Sequence, residues 1–393
     1  MGYIYENEGW PDMAWNNDKL VALLSEARLK QGTLIGHMRA LGFEASLSAS
    51  LEMLTVEIIK TSQIEGETLD KEQVRSSLAR RLGLDTGGTG SRDRAVEGIV
   101  DLMMDATRQF DQALSVERLW GWHRNLFPTG ISEFSKITVG RWREGPMQVV
   151  SESLTRRIVH YDAPRASEVA SEMHAFLRWF NSRPTIDPLL RAAIAHLWFV
   201  TIHPFEDGNG RIARAITEMA LAQSERNTQR FYSMSAQIQS ERRAYYEILK
   251  QTTTGSLDIT PWLRWFIGCL GRSLEGSGRE LSKSLRNAHF WRDHPKNSFN
   301  SRQCDMLVRL LNGFKGNLNA PKWAKMQKCS LENAQRDLSD LAYRGIIEEI
   351  PSSRSHLNYS VIGLPDMPDN PVIWNQDPSP PKRVRRHRGG HYR

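Results

Sequence analysis

Cysteine is scarce in this chain. Only Cys269, Cys304 and Cys329 occur among 393 residues. Their wide separation fits neither a disulfide framework nor the close Cys/His pairs of a zinc site, and it points to a reducing, cytoplasmic setting. No run of about 18 uninterrupted apolar residues occurs, so no membrane-spanning helix is expected. The opening residues Met1-Gly-Tyr-Ile-Tyr-Glu-Asn-Glu8 lack the basic-then-apolar order of a secretory signal, and none is expected. No internal repeat is visible. Acidic residues are absent after Asp377, where Lys382, Arg383, Arg385, Arg386, Arg388 and Arg393 follow. Those six charges leave +1 of the formal net +7 for the rest of the chain. The high isoelectric point therefore reports a tail, not a broad nucleic-acid surface. Apolar residues at 40% suffice for real cores in two or three domains.

The densest chemistry lies in His203-Pro-Phe-Glu-Asp-Gly-Asn-Gly-Arg-Ile-Ala-Arg214. Upstream, Asp187-Pro188 reads as a helix N-cap followed by proline in the first turn. The segment from Leu189 to Val200 is apolar nearly all round, the pattern of a buried central helix. Pro204 cannot continue that helix and biases His203 away from helical geometry, which holds the imidazole at the mouth of a rigid element. Gly208 and Gly210 allow unusual backbone angles, so that consecutive N–H groups can converge on an anion. A second helix resumes at Ile212, with its N-terminus aimed at the loop. Arg211 and Arg214 project from one face of that helix, three residues apart. Asp207 supplies a hard oxygen suited to Mg²⁺. Together these are the parts needed to handle a nucleotide polyphosphate.

The run resembles the signature of the Fic family, H-x-F-x-D-G-N-G-R-x-x-R, at every fixed position. Gly140-Arg-Trp-Arg143-Glu-Gly-Pro146-Met-Gln-Val149-Val150 is similar to the family's flap, and the resemblance covers residues 1–270. It implies a mainly α fold: a Fic-type helical core with a small β-hairpin flap. The implied reaction moves AMP from ATP to a Tyr, Thr or Ser hydroxyl of a target protein, with release of pyrophosphate. His203 would be the general base, Asp207 the Mg²⁺ ligand, and Gly208, Asn209 and Gly210 the phosphate cradle. Arg211 would neutralise phosphate charge, and Arg214 would hold the γ-phosphate. Tyr246 is either an adenine-pocket residue or a plain core tyrosine. A target strand could add along Met147, Gln148, Val149 and Val150; otherwise the hairpin only covers the core.

Thr61-Ser-Gln-Ile-Glu65-Gly66 follows a helical pattern that begins near Leu47. Thr61, Glu65 and Gly66 are similar to the family's inhibitory motif, [S/T]-x-x-x-E-[G/N], whose glutamate pairs with the second arginine, here Arg214. Glu65 could also position a water for removal of AMP. Ser62-x-x-Glu65 equally matches a capping box for the helix that follows.

Five segments are expected: an N-terminal helical region at 1–90, a catalytic core at 91–275, a linker helix at 276–300, a winged helix-turn-helix at 301–365 and a basic, disordered tail at 366–393. The glycine-rich stretches 83–90 and 271–278 mark boundaries. In the winged-helix reading, Asn333 and Arg336 face outward on the recognition helix and Arg354 lies in the wing, while Glu332 and Asp337 weaken its basic face. Partners in view are a hydroxyl-bearing protein, the chain itself as substrate, a second copy, and DNA through 301–365. A DNA-associated regulator with a nucleotide-sensing core, or a Fic enzyme that removes AMP or transfers another nucleotide, stand as alternatives.

Overall fold

A computed structural model describes residues 2–40, 43–84, 93–132, 135–153, 156–182, 185–311, 314, 318–350, 357–361 and 387–388. The chain divides into two compact units, residues 1–277 with 374–393, and residues 278–373.

The first unit begins with helices α1 (Val21–Ala40), α2 (Phe43–Ile64), α3 (Lys71–Arg81), α4 (Arg94–Arg108) and α5 (Val116–Leu126). Asp70, Asp93 and Ser115 start α3, α4 and α5 by accepting the backbone N–H of Gln73, Ala95 and Arg118. Two hairpins follow: β1 (Ile131–Ser132) with β2 (Ser135–Lys136), and β3 (Met147–Ser153) with β4 (Arg156–Asp162). The second hairpin is antiparallel, with Gln148 opposite Asp162 and a bulge between Val149 and Val150. Next come α6 (Ala166–Ser182), α7 (Pro188–Ile202), α8 (Asn209–Glu225), α9 (Met234–Ser240), α10 (Arg242–Thr253) and α11 (Thr260–Asp293). The architecture is mainly helical.

Helices α7 and α8 form the central packed pair. Asp187 caps α7 through the Leu189 N–H at 2.7 Å, with Pro188 in the first turn, as the sequence predicts. Ala192, Ala193, Leu197 and Phe199 on α7 and Ile212, Ala213, Ile216 and Ala220 on α8 are fully buried. Small residues on both helices let the backbones come close. Helix α2 packs on α9, where the buried Glu57 accepts from the Ser233 hydroxyl at 2.6 Å and the Ser235 N–H at 3.0 Å. A buried carboxylate fixed this way anchors α2 against the platform that carries α8.

The helix is continuous at the expected boundary: α11 runs unbroken through 271–278, while the division between the two units falls at residues 277/278. Leu263, Phe266, Ile267, Leu270 and Leu274 keep one face buried. That packing outweighs the helix cost of about 1 kcal/mol per glycine. Residues 85–92, in the glycine-rich stretch after α3, lie outside the described residues.

In the second unit, α12 (Ser301–Leu311), α13 (Ala320–Gln327) and α14 (Leu331–Tyr343) precede a hairpin of β5 (Ile347–Ile350) and β6 (Asn358–Val361). Met306, Leu307, Trp323, Leu338, Leu341 and Ile347 form their core. Asp337 does not face solvent as expected. It is 3% exposed and binds Arg302 at 2.7 Å and the Asn300 amide at 2.8 Å. Arg354 is outside the described residues. Of the tail expected to be disordered, only His387 and Arg388 are described. They form β7 (His387–Arg388), paired with Gln148 and Met147 on β3. An edge strand presents unpaired N–H and C=O groups, which any extended dipeptide can meet.

Candidate active site

His203 ends α7 in the left-handed region, φ 51° and ψ 59°, and is 5% exposed. A residue with a β-carbon is disfavoured there. Its Nδ1 lies 3.2 Å from the Val200 carbonyl. A carbonyl only accepts, so Nδ1 carries the hydrogen and Nε2 is the nitrogen able to take a proton.

The loop after His203 is tightly made. The Asn209 side chain both accepts from the Phe205 N–H at 2.9 Å and donates to the Phe205 carbonyl at 2.8 Å. Its amide thus closes the loop. Gly208 is left-handed at φ 78°, and a β-carbon there would meet Phe127 at 2.9 Å. Gly210 needs its small size for another reason. It lies within α8, and a β-carbon on it would fall 2.1 Å from Glu65 Oε1. The N–H groups of the first turn of α8, which have no partner within the helix, belong to the same place.

Arg211 and Arg214 are 4% and 2% exposed. Arg214 Nη2 binds Glu65 at 3.0 Å and the Thr61 carbonyl at 3.0 Å, and its Nε binds the Thr61 hydroxyl at 2.6 Å. Burial disfavours the Arg214 charge, but the Glu65 carboxylate beside it raises its pKa above the ordinary guanidinium value. Gly66 is left-handed at φ 87°, the conformation that favours glycine or asparagine after a helix end. The capping-box alternative fails: α3 is capped by Asp70, through the Gln73 N–H at 2.8 Å. Glu67 makes a contact that the sequence reading missed. Both its oxygens accept from Arg211 Nη1, at 2.7 and 2.6 Å. Among the described residues, Arg211 Nε and Arg214 Nη1 are buried donors without a partner.

Asp207 accepts from the Ser132 hydroxyl and from the Gly208 N–H at 2.6 Å. The neighbouring Glu206 is turned to the Thr138 N–H at 2.9 Å. No group of three or more His, Cys, Asp or Glu gathers among the described residues. One carboxylate suits an Mg²⁺ that takes its other ligands from polyphosphate and water, and does not suit a protein-caged ion.

Other residues missed from sequence hold the loop from below. His123, on α5, is fully buried. The Gly140 N–H donates to its Nδ1 at 3.1 Å, so Nε2 carries hydrogen and donates to the Asp207 carbonyl at 3.2 Å. The ring stacks on Phe205 with centroids 4.2 Å apart. Burial lowers its pKa to about 4, so it is neutral at pH 7. Tyr246 is 39% exposed on α10, with its hydroxyl 3.5 Å from the Ile64 carbonyl, at the end of α2. On the flap, Met147 is buried against Tyr161, and Gln148 and Val149 are half-buried; the Val150 side chain is outside the described residues. Thr61 and Glu65 thus meet the start of α8, which follows the loop that begins at His203.

A helix N-terminus, two buried arginines and a basic imidazole nitrogen define an anion site beside a proton acceptor. Residues 113–221 match the Fic/DOC family, and residues 3–84 match a domain of unknown function, DUF4172. The chain carries a Fic domain. It is 28% identical over 223 residues to the protein adenylyltransferase Fic of Drosophila ananassae, covering 56% of this chain and 40% of that protein. The corresponding Drosophila melanogaster protein is 28% identical over 217 residues, 54% of this chain and 39% of the relative. The chain therefore spans about two fifths of the length of these relatives. A Fic family protein from Desulfovibrio desulfuricans shares the fold, with TM-score 0.50 and 21% identity over 89% of this chain and 97% of that one. No helix among the described residues is long and apolar enough to cross a membrane.

Proposed function

We propose that this protein is an adenylyltransferase that moves AMP from ATP to a Tyr, Thr or Ser hydroxyl of a protein, and that it is held inactive by Glu65. The observation that carries the proposal is the position of His203. Its Nδ1–H is committed to Val200 and leaves Nε2 as proton acceptor, and helix α8 beyond its loop carries spare buried guanidinium donors. His203 takes the proton of the incoming hydroxyl as its oxygen attacks the α-phosphorus, and pyrophosphate leaves. The N–H groups around Gly208–Gly210, Arg211 and Arg214 bind the phosphates. They act by positioning and by charge already in place, with no covalent enzyme intermediate. Asp207 is the residue that would hold Mg²⁺, which when bound neutralises phosphate charge. Tyr246 sits where it can border the adenine.

Glu65 holds the donors that the γ-phosphate needs, and its carboxylate lies against the first turn of α8, where an anion belongs. Glu67 does the same to Arg211. ATP then binds only in a pose that cannot react. A target strand docks along β3 on the side where His387–Arg388 pairs with Gln148 and Met147, and takes the place of that dipeptide. The exposed part of α14 is mixed in charge, with Arg336 3.5 Å from Glu332. This favours a protein-contacting role for the second unit, which we assign as a winged helix, over DNA binding. The test is to incubate purified wild type, Glu65→Gly and His203→Ala with ATP and read intact mass. A gain of one AMP on Glu65→Gly, lost when His203→Ala is added to that variant, is expected. Unchanged mass in Glu65→Gly, with and without candidate protein substrates, rejects the assignment.

A further inference from the structure

We propose that Arg143 is a positioning residue for His203, tying the base to both ends of the flap. The proposal rests on the reading of His203 as base. Arg143 precedes β3, is 2% exposed and spends its guanidinium on carbonyl groups. Its Nε donates to the His203 carbonyl at 2.8 Å. Nη2 donates to Pro164 at 2.5 Å and to Ile202 at 3.4 Å, and Nη1 to Gly145 at 2.9 Å. Its backbone N–H donates to the Pro204 carbonyl at 2.9 Å. Three consecutive carbonyls, from Ile202 to Pro204, are thus held by one residue.

A buried guanidinium normally needs an anion. Arg143 makes no ion pair among the described residues. Its charge instead meets the carbonyl end of α7, the negative end of that helix. The expense of burying it is hard to explain by packing alone. His203 supplies the reason: it is left-handed despite its β-carbon, and such a conformation persists only where neighbours over-determine it. The Val200 contact sets the imidazole ring, and Arg143 sets the backbone that carries it. Gly145 lies just before β3 and Pro164 just after β4. The same side chain therefore fixes the distance between the strand on which a target would dock and the nitrogen that would accept its proton. Nothing in these contacts reaches the arginines of the phosphate site, so ATP binding should not depend on them.

The test uses the full chain with Glu65→Gly, and compares Arg143→Lys, Arg143→Met and His203→Ala in that background. The rate of self-labelling at saturating α-labelled ATP and the ATP dissociation constant are both measured. For Arg143→Met the rate should fall about 100-fold, the loss expected from roughly 1 Å of misplacement, with ATP affinity within about threefold of the parent. Arg143→Lys, which keeps the charge and one direction of donation, should recover part of the rate. Folded variants that keep the parental rate overturn the inference, as does a proportional loss of ATP affinity. If neither variant folds, Arg143 serves the fold as a whole and the positioning role is likewise overturned. If His203→Ala still labels itself, it is the reading of His203 that fails; if His203→Ala is dead while both Arg143 variants are active, only the Arg143 assignment fails.

Discussion

Replacing Glu65 by glycine should switch the enzyme on. Arg214 is 2% exposed and Glu65 12%, at 3.0 Å. Removing one partner of such a buried pair costs roughly 3–5 kcal/mol when nothing takes its place. A γ-phosphate can take its place, so that amount becomes a bias in favour of productive ATP binding. Repression of about 100-fold needs only about 2.7 kcal/mol. On the proposed reading, AMP transfer should therefore rise by at least about 100-fold in Glu65→Gly. Without nucleotide the variant should melt lower than wild type, because Arg214 is left buried and unpaired. Saturating ATP should restore much of that loss by mass action. The assay is the initial rate of α-labelled AMP incorporation, paired with melting curves with and without ATP. An unchanged rate in Glu65→Gly, with His203→Ala inactive, refutes the inhibitory role of Glu65.

Glu67→Gln should release Arg211 and raise the rate only about fivefold, because the Glu67 side chain is 46% exposed and such pairs contribute about 1 kcal/mol or less; in the same labelling assay, no effect in either the wild-type or the Glu65→Gly background rejects the second contact. Gly210→Ala places a β-carbon 2.1 Å from Glu65 Oε1, so its destabilisation should shrink when Glu65 is glycine, and an additive double-mutant cycle in chemical denaturation counts against that packing. His123 and His196 are buried with pKa values lowered by burial from 6.5 to about 4 and about 3. Both stay neutral in the fold while the unfolded chain binds protons, so their contribution is complete above pH 6.5 and is lost as pH falls towards 4. At about 1.4 kcal/mol per pH unit for each, roughly 6 kcal/mol should vanish between pH 6.5 and 4; a denaturation midpoint that is flat over that range, or equally steep in His123→Gln, contradicts it.

Local features were the legible ones. Asp187-Pro188 starts α7, Pro204 follows its end, and Gly208 takes a positive φ. Each acts on its own neighbours, so spacing along the chain displays it. The contact of Glu65 with Arg214 was reached through the family resemblance, not through spacing. The roles that escaped depend on distant partners. Glu67 meets Arg211 across 144 positions, His123 meets Asp207 across 84, and Arg143 meets His203 across 60. Nothing in the sequence near any of them announces the other. Gly210 was read as allowing unusual backbone angles, whereas it sits within α8 and its small size accommodates the Glu65 carboxylate just after α2. Asp337 looked like an exposed acid on a helix face, but Arg302 on α12 draws it inward. Gly271 to Gly278 was read as a boundary; the two units do divide at 277/278, though a buried leucine and phenylalanine face carries α11 across the glycines.

Which phosphate travels is the most direct question. Glu65→Gly should be incubated in parallel with ATP labelled at the α-phosphate and at the γ-phosphate, and protein-bound label counted after denaturation. Label from the α-position alone, lost in His203→Ala, is the predicted result. Protein-bound γ-label, or α-label that survives His203→Ala, contradicts a site in which His203 directs a hydroxyl onto the α-phosphorus.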